Sequence, residues 1–389
     1  MRAPAIICLM ILGLAPLHAQ QRLQLMSHPA VSPDGKRLAF DYNGDIWVAS
    51  SDGGVARPIS NHPARDSHPV FSPDGQSIAF QSDRNGTACI HLMPVSGGAA
   101  RQVTFHTSGS IPLQFTADGT ALLVEVIRDH AWKHANRLAL IDIRQRNAEE
   151  IIFDAEASTG QISPNGQNVL YVREGTQWWR KGYHGSQAWQ LWQFDRATRN
   201  HVRLLENPPP APGKPVVHPE ARGIQAPLWK PDGKGFYYVG GQSGNFNLWE
   251  HDLTTSRGRM LTNFTDDSVV QPAISTDGST IVFRHLFDLY AFKPASGQPP
   301  KRLELVSASE VTRDAKERRV LTTATHVAFS NDGLEVAFIA GGDVWVMDTE
   351  LREPIQSEPA RVALAKNSTH TQNGWHKVAE QHDDHLQTR

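Results

Sequence analysis

Short apolar runs alternate with polar breaks along most of this chain, and one break recurs. An apolar stretch leads into Ser-Pro-Asp-Gly or a relative, and a second apolar stretch follows, ending in an aromatic or aliphatic residue. The copies are Ser32-Pro33-Asp34-Gly35, Ser72-Pro73-Asp74-Gly75, Thr116-Ala117-Asp118-Gly119, Ser163-Pro164-Asn165-Gly166, Lys230-Pro231-Asp232-Gly233, Ser275-Thr276-Asp277-Gly278 and Ser330-Asn331-Asp332-Gly333. Pro presets φ for the first corner of a type I turn, Asp suits the second, and Gly takes the left-handed position from which a hairpin resumes. The phrase therefore predicts strand, turn, strand. Its flanks supply two more strands: in the first copy Pro29 to Ser32, Arg37 to Asp41, Asp45 to Ala49 and Arg57 to Ser60 read as a four-stranded unit. The third strand carries an aromatic label, as in Ile46-Trp47-Val48, Leu191-Trp192-Gln193, Leu248-Trp249-Glu250, Leu289-Tyr290-Ala291 and Val344-Trp345-Val346, which is read as core packing between sheets rather than as a ligand-stacking set.

A four-stranded unit of this kind cannot bury its own two faces, whereas several arranged radially cover one another and leave only short edges. The spacing of the copies matches the length of a propeller blade. The fold expected is all-β: a six-bladed β-propeller of four-stranded antiparallel blades at 28–60, 68–104, 111–152, 160–205, 225–262 and 271–303, plus the start of a second propeller. Residues 304–324 read as a polar connector, 325–356 as the first blade of the second, incomplete ring, and 357–389 as a polar, unstructured tail. Pro208-Pro209-Pro210 opens a stiff spacer, Glu206 to Arg222, that explains the longest gap between copies.

Composition agrees with many short strands and tight turns: 30 Gly, 25 Pro and 15 Phe among 20% charged residues in 389. The formal charge of −2, without a concentration of Lys and Arg, argues against a nucleic-acid partner. At the N-terminus Arg2, the apolar run Ile6 to Leu14 and Leu17-His18-Ala19 read as a cleavable export signal over 1–19, with the mature chain starting near Gln20 in the periplasm or outside the cell. That run is too short to span a bilayer, no later stretch is long enough, and membrane insertion is not expected. Cys8 would leave with the signal, so Cys89 stands alone in a strand pattern, as a buried small hydrophobe.

Candidate chemistry is sparse. His130 and His134 form an H-x3-H pair, but they fall in what reads as a hairpin loop with no third ligand nearby. There is no Gly-x-Ser-x-Gly elbow, and no catalytic residue, cofactor or metal site is assigned. His370, His376, His382 and His385 in the tail lack regular spacing. The best recognition candidates are Trp178, Trp179, Arg180, Lys181 and Tyr183 in the fourth blade. Two adjacent Trp cannot both point into one sheet face, and exposed aromatic and cationic groups suit a peptide's apolar and carboxylate parts. The alternative is an insertion that packs over the blade edge.

The six repeats, the connector and the restart resemble the N-terminal part of bacterial tricorn-type proteases, and so does the segment Glu174-Gly175-Thr176-Gln177-Trp178-Trp179-Arg180-Lys181-Gly182-Tyr183-His184-Gly185-Ser186, which looks like that family's insertion. His285-Leu286-Phe287-Asp288-Leu289-Tyr290 in blade six is similar as well. The resemblance implies propellers that act as gated channels and scaffolds for oligopeptides, joined to a PDZ-like module and a serine peptidase domain. The expectation is a non-catalytic, peptide-channelling module, inactive by itself, with an oligomer possible in a full-length protein, and with a premature stop or frameshift in a longer gene as the hypothesis for its ending. A TolB-type periplasmic protein-binding adaptor shares the Ser-Pro-Asp-Gly repeat and is the alternative, although no leading α/β domain precedes blade one. A third reading is a stand-alone enzyme with its site in the central channel.

Overall fold

The computed structural model describes residues 21–128, 135–173, 175, 187–206, 223–307, 323–340, 343–349 and 375–377. The chain divides into two units, Met1–Val311 and Thr312–Arg389.

In the first unit each repeat is one antiparallel sheet, and the strands run in chain order from the innermost outward. Blade one is Ser27–Val31, Arg37–Tyr42, Asp45–Ser50 and Gly54–Pro58. Blade two is Asp66–Phe71, Ser77–Ser82, Cys89–Pro94 and Arg101–Gln102. Blade three is Ile111–Phe115, Ala121–Val126, Arg137–Asp142 and Glu150–Ile151. Blade four is Ser158–Ile162, Asn168–Arg173, Gln190–Asp195 and His201–Glu206. Blade five is Ile224–Trp229, Gly235–Gly240, Asn247–Asp252 and Arg257–Met260. Blade six is Val269–Ile274, Ile281–His285, Asp288–Phe292 and Lys301–Arg302.

The recurring phrase makes the hairpin its residues demand. Its glycines sit at φ between 66 and 75° in all seven copies, a region open to Gly at no steric cost. The Ser or Thr three residues before that glycine is a hub. In blade one Ser32 Oγ donates to Asp34 Oδ1 at 2.6 Å and accepts the Arg37 N–H at 2.9 Å, while Asp34 also takes the Lys36 N–H at 3.2 Å. Ser72, Thr116, Ser163 and Ser275 repeat the arrangement, and blade five, with Lys230 in that place, keeps only the Asp232 bond to Lys234 N–H. These bonds hold Asp34 and Asp74 below the usual carboxylate range, the serine hydroxyl contributing most.

Counting from each turn glycine explains the core. The third, fourth and fifth residues after it are buried in every blade: Leu38-Ala39-Phe40, Ile78-Ala79-Phe80, Leu122-Leu123-Val124, Val169-Leu170-Tyr171, Phe236-Tyr237-Tyr238 and Ile281-Val282-Phe283. Strand alternation sends the third and fifth toward the preceding blade and the fourth toward the next. Leu38 and Phe40 thus pack with Val282 and Leu289 of blade six, while Ala39 joins Ile78 and Phe80 of blade two. Every junction has its own apolar cluster, and the cluster joining blade six to blade one closes the circle. Trp47 is buried in one of these seams, and Trp192, Trp249 and Tyr290 are half-buried against others. Cys89 is free and buried, as a small core residue.

The ring is locked by a fifth strand on blade one. Leu305–Ser307 pairs in parallel with Gly54–Pro58, and Arg22 bridges Val306 from the other side. The connector expected to start at residue 304 therefore begins later, because its first residues complete the ring. A buried leucine, Leu305, anchors them.

The second unit contains one antiparallel sheet, Thr325–Phe329, Glu335–Ala340, Asp343–Asp348 and Trp375–Lys377. Val327, Phe329 and Val344 on it are exposed. Its last strand comes from the stretch read as a tail.

Candidate functional site at the axis of the ring

The innermost strands surround the axis, each touching its neighbours. Their register against the second strand shifts in every blade. In five blades a residue at the shift is left-handed although it is not glycine: His28 (φ 44°), His68 (53°), Thr159 (48°), Ala226 (50°) and Gln271 (54°). Such a conformation costs roughly 1–2 kcal/mol per residue and persists only where its surroundings enforce it. The bulge turns the local backbone polar groups out of the ladder, so something else must satisfy them.

Side-chain amides and carboxylates do so from neighbouring blades. Gln114 of blade three takes the Ile162 N–H of blade four at 2.7 Å, and Gln161 of blade four takes the Trp229 N–H of blade five. Gln271 of blade six takes the His28 N–H of blade one at 3.0 Å. A primary amide carries the same donor and acceptor as a peptide group, so it can splice two strands that share no ladder.

A second set comes from the sixth residue after each turn glycine, which reaches toward the innermost strand of the next blade. It is Asp41, Gln81, Glu125, Val172, Val239 and Arg284 in blades one to six. The two valines belong to the seams beside blade five. The polar four contact backbone or hydroxyl groups of the neighbour: Asp41 accepts the His68 N–H at 3.4 Å, Gln81 donates to Ser110 O at 2.8 Å, Glu125 accepts the Thr159 N–H at 3.0 Å, and Arg284 donates to Ser27 Oγ at 2.9 Å. One end of the axis is thereby polar along blades six, one, two and three and apolar along four and five.

Charge there is poorly solvated. His28 Nδ1 lies 2.7 Å from Asp41 Oδ1, which requires the proton on Nδ1, and the His28 and His68 rings stack with centroids 3.6 Å apart. Burial, followed by the adjacent His28, pulls His68 down to about 3, so it is neutral at physiological pH. Burial also pushes Glu125 up to about 7, opposed only by the Thr159 N–H. Glu125 is nonetheless part-exposed, so water reaching it softens that shift.

The sequence-predicted recognition residues Trp178, Trp179, Arg180, Lys181 and Tyr183 lie outside the described residues, as do His130 and His134. The segment carrying the first five is bounded by Arg173 and Gln190, which pair with each other where the second and third strands of blade four meet. Arg173 directly follows Val172, which lies in the apolar seam between blades four and five. Among the described residues no group of three or more His, Cys, Asp or Glu could hold a metal, and no helix is long and apolar enough to cross a membrane. An open cleft lined by Leu140, Ile152, Gln167 and Arg199 lies between blades three and four, away from this end, and gathers no comparable set of groups. Sequence reasoning missed the axial residues, although aligning the copies on the turn glycine exposes them as the place where Asp, Gln, Glu or Arg interrupts an apolar run.

Blades that bury only against each other, in a circle closed by a late strand, define a β-propeller. The chain belongs to the Tricorn protease N-terminal beta propeller domain family, whose model matches residues 23–298. It is 27% identical over 295 residues to Tricorn protease homolog 1 of Streptomyces coelicolor, covering 70% of this chain and 24% of that protein. The crystal structure of the tricorn protease superposes with a TM-score of 0.56 at 18% identity, covering 84% of this chain and 30% of that one. A TolB from Acinetobacter baumannii gives 0.31 at 15% identity, over 83% of this chain and 61% of its own. The chain thus spans under a third of the tricorn proteins it matches.

Proposed function

We propose that this chain is the non-catalytic propeller of a tricorn-like serine peptidase, exported to the periplasm, and that it admits oligopeptides along the axis of its ring. The observation that carries this reading is the polar arc Arg284, Gln271, His28, Asp41, His68 and Glu125 at one end of an axis surrounded by apolar seams. Bulged backbone, amide donors such as Gln271 Nε2 that have no partner among the described residues, and poorly hydrated charges suit an extended chain that brings its own donors and acceptors. Kinship with a family named for a protease supports peptides as the class of ligand. In this reading Trp178, Trp179, Arg180, Lys181 and Tyr183 contribute peptide contacts beside the arc.

Labelled oligopeptides titrated with the purified chain, with fluorescence anisotropy read alongside mass spectrometry of the same mixtures, test the proposal. Binding without cleavage is expected. Cleavage would replace it with a stand-alone enzyme, and absence of binding across a mixed pool would leave a protein-binding adaptor in its place. Replacing Trp178, Trp179 and Arg180 together should weaken binding, and unchanged affinity would remove those residues from the site. Mass analysis of the chain recovered from a periplasmic fraction should show Gln20 at its start.

A further inference from the structure

Arg284 stands apart from the other shielded arginines of the ring. Arg84 holds Asp66 through two bonds of 2.9 and 2.8 Å, Arg128 meets Glu149 at 3.0 Å, and Arg137 meets Asp154 at 2.8 Å. Arg284 is part-buried, and its one hydrogen bond among the described residues goes to a neutral hydroxyl, Ser27 Oγ. The carboxylates that act on it from a distance are Asp41 and Asp267, neither within ion-pair reach. Asp41 is engaged by His28 Nδ1 and the His68 N–H, and Asp267 takes the Ser268 N–H at 2.7 Å. A guanidinium partly withdrawn from water without a counter-charge is costly, and among the described residues this one uses only the bond to Ser27 Oγ out of its five donors.

Beside it lies a second unused donor group. Gln271 spends its Oε1 on the His28 N–H, so its Nε2 hydrogens have no acceptor among the described residues. The partners of the two side chains, Ser27 and His28, are consecutive residues of the same strand, so both side chains reach one short stretch of blade one at its junction with blade six. Two planar donor groups converging without an acceptor match a ligand that only accepts, through two oxygens in one plane.

We propose that Arg284 and Gln271 form a carboxylate-anchoring site at the polar end of the axis, fixing a peptide by its C-terminus or by an acidic side chain. This rests on the peptide-admitting reading above and adds the group recognised. Both sources present the same chemistry, and a set of four labelled tetrapeptides separates them: free or amidated C-terminus, each with Glu or Gln at an inner position, titrated against the full chain. Removing the carboxylate that is read should weaken binding about tenfold or more, since it removes charge-assisted bonds. Arg284→Gln should abolish that discrimination, bringing affinity for the carboxylate-bearing peptide down to that of its carboxylate-free counterpart. Gln271→Glu, which places a carboxylate of the chain itself beside Arg284, should abolish it too while keeping the melting temperature, so misfolding would not mimic the result. Sensitivity to amidation alone assigns the C-terminus, and sensitivity to Glu→Gln alone assigns the side chain. Equal binding of all four peptides overturns this inference and spares the peptide-admitting reading. Equal weakening of all four by Arg284→Gln also overturns it, and binding of none overturns both.

Discussion

Cutting the chain at residue 303 should damage the ring, whereas cutting at residue 311 should not. The shorter form keeps every blade but loses the segment that seals blade six to blade one. That segment buries Leu305 completely, accepts the Leu23 N–H on Leu305 O and the Gly54 N–H on Glu304 O, and donates from Ser307 N to Gln21 O. A buried Leu contributes about 2–3 kcal/mol and each of these bonds about 1 kcal/mol, so the loss is roughly 5 kcal/mol. Near the midpoint, about 2–4 °C per kcal/mol for a domain of this size makes that roughly 10–20 °C in melting temperature. Differential scanning calorimetry of the two truncated chains reads the difference directly. Loss of the exposed sheet of the second unit is common to both and cancels. Equal melting temperatures would mean that the apolar seam between blades six and one closes the ring by itself, and the account of Leu305–Ser307 as its lock would be wrong.

Other expectations follow from single side chains. Glu125 has a folded-state pKa raised above its unfolded value, so it binds the extra proton when folded. Its unfavourable contribution appears as pH rises from about 4.5 to about 7 and stays constant above that. Glu125→Gln keeps an acceptor for the Thr159 N–H and should raise stability above pH 7 but not at pH 4, by on the order of 1 kcal/mol once water at the carboxyl is allowed for, as read from denaturant melts at the two pH values. Ser72→Ala removes the bonds to Asp74 and to the Ser77 N–H, at about 1–2 kcal/mol. It should also bring the Asp74 titration, followed by NMR, back up toward 3.8. The Asp74 contribution to stability is present above its unfolded pKa and fades as pH falls through the depressed folded value, so the wild type and Ser72→Ala should converge in acid. Asp66→Ala strands the Arg84 guanidinium in the interior and should cost about 3 kcal/mol or more, while Arg144→Ala, breaking an exposed pair with Asp142, should leave stability nearly unchanged. Comparable losses for the two would contradict the burial difference on which they rest.

How much of this could be read in the residues varies with how locally each feature is encoded. The hairpins were legible because Pro, Asp and Gly act within one turn, and Gly35 and its equivalents sit where that chemistry requires. The aromatic label on the third strand was legible for the same reason: Trp47 and its counterparts fill seams that any such stack must have. Ring closure was not. Leu305-Val306-Ser307 is too short to show alternation, is surrounded by charge, and becomes a strand only because Gly54–Pro58 offers an open edge. Nor was the polar arc, since the hydrogen bond from the His28 N–H to Gln271 Oε1 joins residues 243 apart, and no window along the chain contains both. For Asp41, Glu125 and Arg284 the signal existed only across copies, at the sixth residue after the turn glycine, where the blades disagree.

That disagreement has an evolutionary reading. In each blade three consecutive side chains build the seams, and in blades six, one, two and three the next one only touches polar groups of the neighbour, so its identity there is free of the packing that fixes the others. Descendants of a duplicated blade could therefore acquire different tastes one substitution at a time, each change confined to a single sector of the rim and none requiring the wheel to be rebuilt.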